Sequence, residues 1–272
     1  MTNYYEVITT TDGASISSLG VGVSVSTCMG LTWLGGYGVL GSGNSFQITI
    51  SGKPQHYKIR IKFRFLKIDS WSSHNGEIYV DDVLQSINEL KAISSSSGST
   101  NFGNQCGGSD PEDVINVDYE MPHKKMPFIV KFTTNLDGTS SSKSWGIRDL
   151  IIGLYKCDVS CATCSGSANT ECLTCYPNAA KVNGLCECKS TFYVEVTVSC
   201  ITDICTVCKS CYLGCDTCTS SVSSACTKCI SGYFLYTNTA TSAKQVIKKH
   251  LQLIFKKFLF FSSINATLLY YK

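Results

Sequence analysis

The sequence predicts a mainly β protein: an N-terminal antiparallel β-sandwich, jelly-roll-like, followed by a disulfide-rich cysteine-repeat rod with little regular secondary structure. Three observations predict it. In HYKIRIKFRFLKI (56–68), Tyr57, Ile59, Ile61, Phe63 and Phe65 alternate with Lys58, Arg60, Lys62 and Arg64, and a period of two puts the apolar side chains on one face of a strand and the cations on the other. Of the 17 cysteines only Cys28 and Cys106 lie outside 157–229, a density that signals a covalent scaffold. Apolar alternation stops after Tyr155, so the two patterns meet near Lys156. The expected domains are 1–156, 157–242 and a basic tail, 243–272.

The other strand candidates in 1–156 are SFQITI (45–50), EIYV (77–80), VINVDYEM (114–121), FIVKFTTN (128–135) and IRDLIIGLY (147–155). Asp81-Asp82, between EIYV and VLQSI, marks a hairpin turn. The Ser/Gly-rich segment 93–113 reads as a long exposed loop. No segment carries a helical period, and six or more short strands with polar connections favour two packed sheets. The cationic face of 57–67 reads as a solvated outer face that also discourages edge pairing. Residues 1–156 carry 13 Lys+Arg against 14 Asp+Glu, which argues against a nucleic-acid surface, since phosphate binding needs a concentrated basic face.

Cys157–Cys175 follows C-x3-C-x2-C-x7-C-x2-C, and Cys211–Cys229 repeats that spacing 54 residues later with unlike residues between, which marks an internal repeat. A weaker match aligns 188–200 with 229–241 and finds Thr241 where a closing cysteine is expected, so the second unit reads as incomplete. The CxxC pairs fit zinc as well as disulfides. The cluster has no histidine, because the four lie at 56, 74, 123 and 250, and Cys157, Cys186, Cys188, Cys200 and Cys211 stand outside the pairs, where a tetrahedral scheme leaves them spare. Disulfides are therefore preferred, with an intracellular zinc module as the alternative.

This spacing, followed by a short aromatic segment and another cysteine, resembles the furin-like, growth-factor-receptor cysteine-rich repeat over about 157–241. The resemblance implies Cys157–Cys164, Cys161–Cys172, Cys175–Cys186, Cys188–Cys200, Cys211–Cys218 and Cys215–Cys226, then Cys205–Cys208, with Cys229 left over. IDSW (68–71) after a long amphipathic strand, and SWGIRDLIIGLYKC leading into such repeats, is similar to surface proteins abundant in ciliated protozoa, which implies a secreted or membrane-tethered protein.

Candidate sites are few. GYGVLG (36–41) has dinucleotide-fingerprint spacing, but a strand rather than a helix follows it, which excludes that reading. Asp69, His74, Glu77, Asp81 and Asp82 around Trp71 offer oxygen ligands for calcium, or polar contacts and a stacking face for a sugar; turn-forming acids beside a core tryptophan are the ordinary alternative. Cys28 and Cys106 form one staple or stay as two thiols. No Ser/His/Asp or Cys/His spacing indicates catalysis. The tail KKHLQLIFKKFLFF has an amphipathic pattern suited to a membrane surface, or is read-through of noncoding sequence, and Asn265-Ala-Thr is a glycosylation sequon if that part is exported. The N-terminus lacks a secretory-signal pattern, so export implies an incomplete chain. The expectation is a non-enzymatic extracellular or cell-surface protein for adhesion, coating or binding of a protein or carbohydrate, without a cofactor; a fragment of a larger secreted enzyme is a further alternative.

Overall fold

The computed structural model describes residues 4–71, 73–91, 104–108, 110–200, 203–238 and 241–249, with the backbone alone for 196–200 and 203–206. The chain divides into two compact units, Met1–Lys156 and Cys157–Lys272.

The first unit is an antiparallel β-sandwich. Its strands are β1 (Tyr4–Thr9), β2 (Val25–Cys28), β3 (Leu31–Gly35), β4 (Phe46–Ile50), β5 (His56–Asp69), β6 (Gly76–Val80), β7 (Val83–Leu84), β8 (Asp113–Pro122), β9 (Phe128–Thr134) and β10 (Lys143–Lys156). One sheet has the order β2-β3-β10-β5-β8, with β1 also paired to β10, and the other has the order β4-β9-β6-β7. The alternating patterns aim one face of each sheet at the other. Phe46, Ile48 and Ile50 of β4, and Phe128, Val130 and Phe132 of β9, are buried against Ile59, Ile61, Phe63 and Phe65 of β5. Burying each such side chain contributes about 1.5–3 kcal/mol.

The long strand departs from its sequence pattern after Phe65. Leu66, Lys67, Ile68 and Asp69 are all buried, because a second small core of Cys28, Trp33, Leu66 and Ile68 covers the opposite face there. The cationic stripe lies on the solvent-facing side, as its sequence suggests, but it does not guard a sheet edge. β5 lies between β10 and β8 rather than at an edge, and acids of those strands neutralise it through Lys58–Glu120 (2.6 Å), Arg60–Asp118 (2.5 Å) and Arg64–Asp149 (3.1 Å). A short helix α1 (Gly13–Ser17) is capped by the Asp12 side chain, which accepts the Ser15 N–H at 2.7 Å. Neither this helix nor β1–β3 was legible as periodicity.

Among its described residues the second unit contains five two-stranded antiparallel hairpins, more regular structure than the sequence suggests: β11 (Cys161–Cys164) with β12 (Cys172–Cys175), β13 (Ala179–Val182) with β14 (Leu185–Cys188), β15 (Phe192–Cys200) with β16 (Asp203–Ser210), β17 (Cys215–Cys218) with β18 (Cys226–Cys229), and β19 (Tyr233–Thr237) with β20 (Lys244–Lys248). Among the described residues the bonds are Cys157–Cys164, Cys161–Cys172, Cys175–Cys186, Cys188–Cys208, Cys211–Cys218 and Cys215–Cys226, while the first unit holds Cys28–Cys106. Two implied pairings are corrected. Cys188 bonds Cys208, so neither Cys188–Cys200 nor Cys205–Cys208 forms; the side chains of Cys200 and Cys205 lie outside the described residues.

The repeat register is corrected too. Tyr233 donates to the Ile230 carbonyl (3.2 Å) as Ala179 does to that of Tyr176 (3.1 Å), so β19 stands 54 residues after β13. Cys186 faces Lys181 in the first hairpin and Val246 faces Leu235 in the second. The residue missing opposite Cys229 is thus Val246, not Thr241, and β20 carries the repeat beyond position 242, into the segment whose sequence suggests a tail.

Candidate functional site

Four segments build a cleft of about 390 Å³ over the second small core, lined by Met29, Leu31, Trp33, Arg64, Gln105 and Val114. Met29 and Gly30 form the two-residue β2–β3 turn, since Cys28 pairs with Leu31, and both have positive φ (54° and 72°). A methionine in this left-handed conformation is strained. Trp33 is fully buried and its Nε1–H donates to the Cys28 carbonyl at 3.2 Å.

The segment bearing Gln105 is held from three sides. Cys106 is bonded to Cys28. The buried carboxylate of Asp69 accepts the Gly108 N–H at 2.8 and 2.9 Å, and that of Glu112 accepts the N–H groups of Gln105 (2.5 Å) and Cys106 (3.3 Å). A Cβ on Gly107, which has φ of 114°, would stand 2.6 Å from Asp69 Oδ2, so only glycine fits this approach. Lys67, buried near the same acids, has its pKa pushed down by desolvation, with Asp113 opposing the shift most strongly.

Beside the cleft, β10 carries a bulge. Arg148 faces Arg64 and Ile151 faces Lys62, so two residues oppose Phe63 alone. Asp149 within it has φ of 52°, and its Oδ2 meets Arg64 Nε (3.1 Å) and Arg148 Nε (3.2 Å). Arg148 also donates to the Thr11 carbonyl at 3.0 Å and lies 5.5 Å over the Trp33 ring. Its Nη1 is buried with no hydrogen-bond partner among the described residues. Two guanidinium groups thus share one carboxylate oxygen at the rim of an apolar floor.

A second polar cluster occupies the β6–β7 turn, predicted as a hairpin. His56, at the start of β5, is buried; its Nε2 is 2.8 Å from His123 Nδ1 and its Nδ1 is 3.3 Å from the Pro54 carbonyl. His123 Nε2 is 3.5 Å from Asp81, which also accepts the Ile129 N–H (3.0 Å) and pairs with Lys125 (3.1 Å). Both rings pack on Phe128. Burial pushes the His56 pKa down to about 4 and lowers that of His123, where Asp81 opposes it. The chain ends on a main-chain carbonyl rather than a nucleophile, so it does not form a catalytic triad.

The acids grouped with Trp71 in the sequence are not brought together. Asp69 holds the Gly108 loop, Glu77 accepts the Tyr79 hydroxyl, His74 pairs with Asp137, and Asp81 belongs to the histidine cluster while Asp82 completes its turn. Trp71 is fully buried, its Nε1–H shared between the carbonyls of Ile68 and Ser144, so it presents no stacking face to a sugar. Among the described residues the sole converging group of metal-ligating type is Cys211, Cys215 and Cys218, whose sulfurs are in disulfides rather than free as thiolates. Asn265 and residues 250–272 of the tail lie outside the described residues. No helix among the described residues is long and apolar enough to cross a membrane.

These features define a cysteine-rich, disulfide-bonded repeat protein with a β-sandwich. No family model matches the chain. Cysteine repeat modular protein 1 of Tetrahymena thermophila is 36% identical over 81 residues, 29% of this chain, and the chain spans 3% of that protein. Among solved structures, the C-terminal CBM6 of LamC from Zobellia galactanivorans aligns with 48% of this chain and 87% of its own at a TM-score of 0.28 and 9% identity. A Paenibacillus cycloisomaltooligosaccharide glucanotransferase complexed with cycloisomaltoheptaose aligns with 55% of this chain and 18% of its own at 0.26 and 11%. TM-scores this low bear on neither ligand nor activity.

Proposed function

We propose that this is a non-enzymatic extracellular or cell-surface protein whose β-sandwich binds a ligand and whose cysteine repeats act as a covalent scaffold, in adhesion or a surface coat. The observation that carries the reading is the cysteine pairing in both units: seven disulfides join described cysteines, and Cys229 is the free one among them. Such closure persists outside reducing compartments, where short chain segments without an apolar core depend on it. Intact mass with and without reductant, with zinc analysis, tests this. The expected result is a mass gain on reduction and no stoichiometric zinc. Free thiols with bound zinc would replace this reading with the intracellular zinc module.

A further inference from the structure

The cleft over the second core has two features that folding alone does not require. Met29 in its lining and Asp149, paired with Arg64 of that lining, are non-glycine residues in the left-handed region, and strain of this kind concentrates at ligand sites. Arg148, 5.5 Å over the ring of Trp33 in the cleft floor, has a buried guanidinium N–H without an acceptor among the described residues, a costly state for a charged group. The volume, about 390 Å³, falls in the range of small-molecule sites, which span roughly 300–1,000 Å³.

We propose that the cleft binds a small organic acid, with a compact apolar body on Met29, Leu31 and Val114 and its carboxylate held by Arg64; this rests on reading the sandwich as the recognition part of the protein. Charge selects the ligand. Arg64 and Arg148 meet a single carboxylate, Asp149, while the carboxylates of Asp69 and Glu112 behind the Gln105 wall are engaged by backbone N–H groups. Arg64 lines the cleft, is half exposed, and among the described residues only its Nε has an ion-pair partner; a guanidinium is a planar fork suited to a carboxylate. A cation would meet the Arg64 guanidinium, and an uncharged ligand would forgo the charge-assisted contact with it. The walls are pre-formed: the disulfide, Asp69 and Glu112 fix the Gln105 segment before ligand arrives, which reduces the ordering cost of binding.

The test is a titration of the full oxidised chain, followed by methyl NMR of Met29, Leu31 and Val114, with 3-phenylpropionate, its neutral amide and glucuronate. The acid is expected to give saturable shifts at these methyls and to bind about tenfold or more tightly than the amide, the ratio one charge-assisted contact supplies. Arg64→Gln is expected to weaken the acid by a similar factor with the thermal midpoint unchanged. No saturable shift at about 10 mM acid, equal binding of acid and amide, or an unaffected Arg64→Gln variant would overturn the proposal. Tighter binding of glucuronate than of 3-phenylpropionate would overturn the apolar body. None of these outcomes alters the mass and zinc measurement, so failure here leaves the disulfide-scaffold reading separately decided.

Discussion

The two units of this chain are held together by different physics. In the sandwich all three tryptophans are fully buried, and both sheets contribute large aliphatic and aromatic side chains to one core. Among the described residues of the repeats the buried side chains beyond glycine are cysteines (Cys157, Cys161, Cys164, Cys172, Cys215 and Cys226), while Leu213, Val194 and Val222 are 75%, 56% and 54% exposed. A two-stranded hairpin alone is marginal in water, so the repeats depend on covalent closure of short loops. Reduction should therefore produce the largest effect and separate the units. Hydrogen exchange in reductant should show full loss of protection in β11–β14 and β17–β18, with the sandwich core still protected although Cys28–Cys106 is also cut. Retained protection in those hairpins would show that something other than disulfides supports them.

The converse perturbation is a core deletion. Phe132 stacks on Phe46 with ring centroids 4.9 Å apart and meets Phe63 edge-on at 5.4 Å. Phe132→Ala should cost the sandwich about 3–5 kcal/mol in urea unfolding, through lost transfer energy and the cavity left behind. The repeats should keep their protection, and joint loss would mean that the two units are energetically coupled.

The same contrast explains what could be read from sequence. β5 was legible as far as Phe65 because one face meets an apolar layer and the other meets solvent, which imposes a period of two. β3 was not: Trp33, Leu34 and Gly35 are buried in succession, so no alternation exists. The short bonds of the repeats are those the family resemblance implied, but Cys188–Cys208, which it did not imply, depends on the long β15–β16 hairpin, where Cys208 faces Val194. Neither polar site has a local signature. His56 and His123 are 67 residues apart, and the cleft draws on the β2–β3 turn, β5, the Gln105 segment and β8. Topology alone brings them together. No sequence reading marked the turn at Met29-Gly30, and nothing beside Asp149 marks a bulge.

Acid should weaken the sandwich next, by a route that leaves the disulfides untouched. His56 is held down at about 4 against an ordinary value of 6.5, and His123 is also lowered. Between those pH values the unfolded chain binds more protons than the folded one. Stability is therefore complete above about pH 6.5 and falls as pH drops toward 4, by up to about 3 kcal/mol for His56. The groups facing the pair are Asp81, Lys125 and the Pro54 carbonyl, so the loss belongs to this end of the sandwich. Urea midpoints at pH 7 and pH 5 measure it, and a His56→Leu variant should flatten the slope. An unchanged wild-type midpoint would contradict the neutral, buried pair.

The smallest effect tests the comparison inside the repeats themselves. Cys175 is bonded to Cys186, whereas its counterpart Cys229 is a free, half-buried thiol with its pKa raised by burial. The corrected register makes Val246 the counterpart of Cys186, displaced by the longer β19–β20 connection. Val246→Cys should therefore let the introduced thiol close a bond to Cys229 without moving either strand. A loop of this length is worth about 3 kcal/mol in the chain-entropy model, and engineered bonds often deliver less, so a gain of about 2 kcal/mol is expected. The measurements are loss of the alkylatable thiol at position 229 and slower exchange in β19 and β20. Thr241→Cys, the partner that linear spacing suggests, should leave Cys229 alkylatable. If it quenches Cys229 and Val246→Cys does not, the hairpin register is wrong and the linear alignment is right.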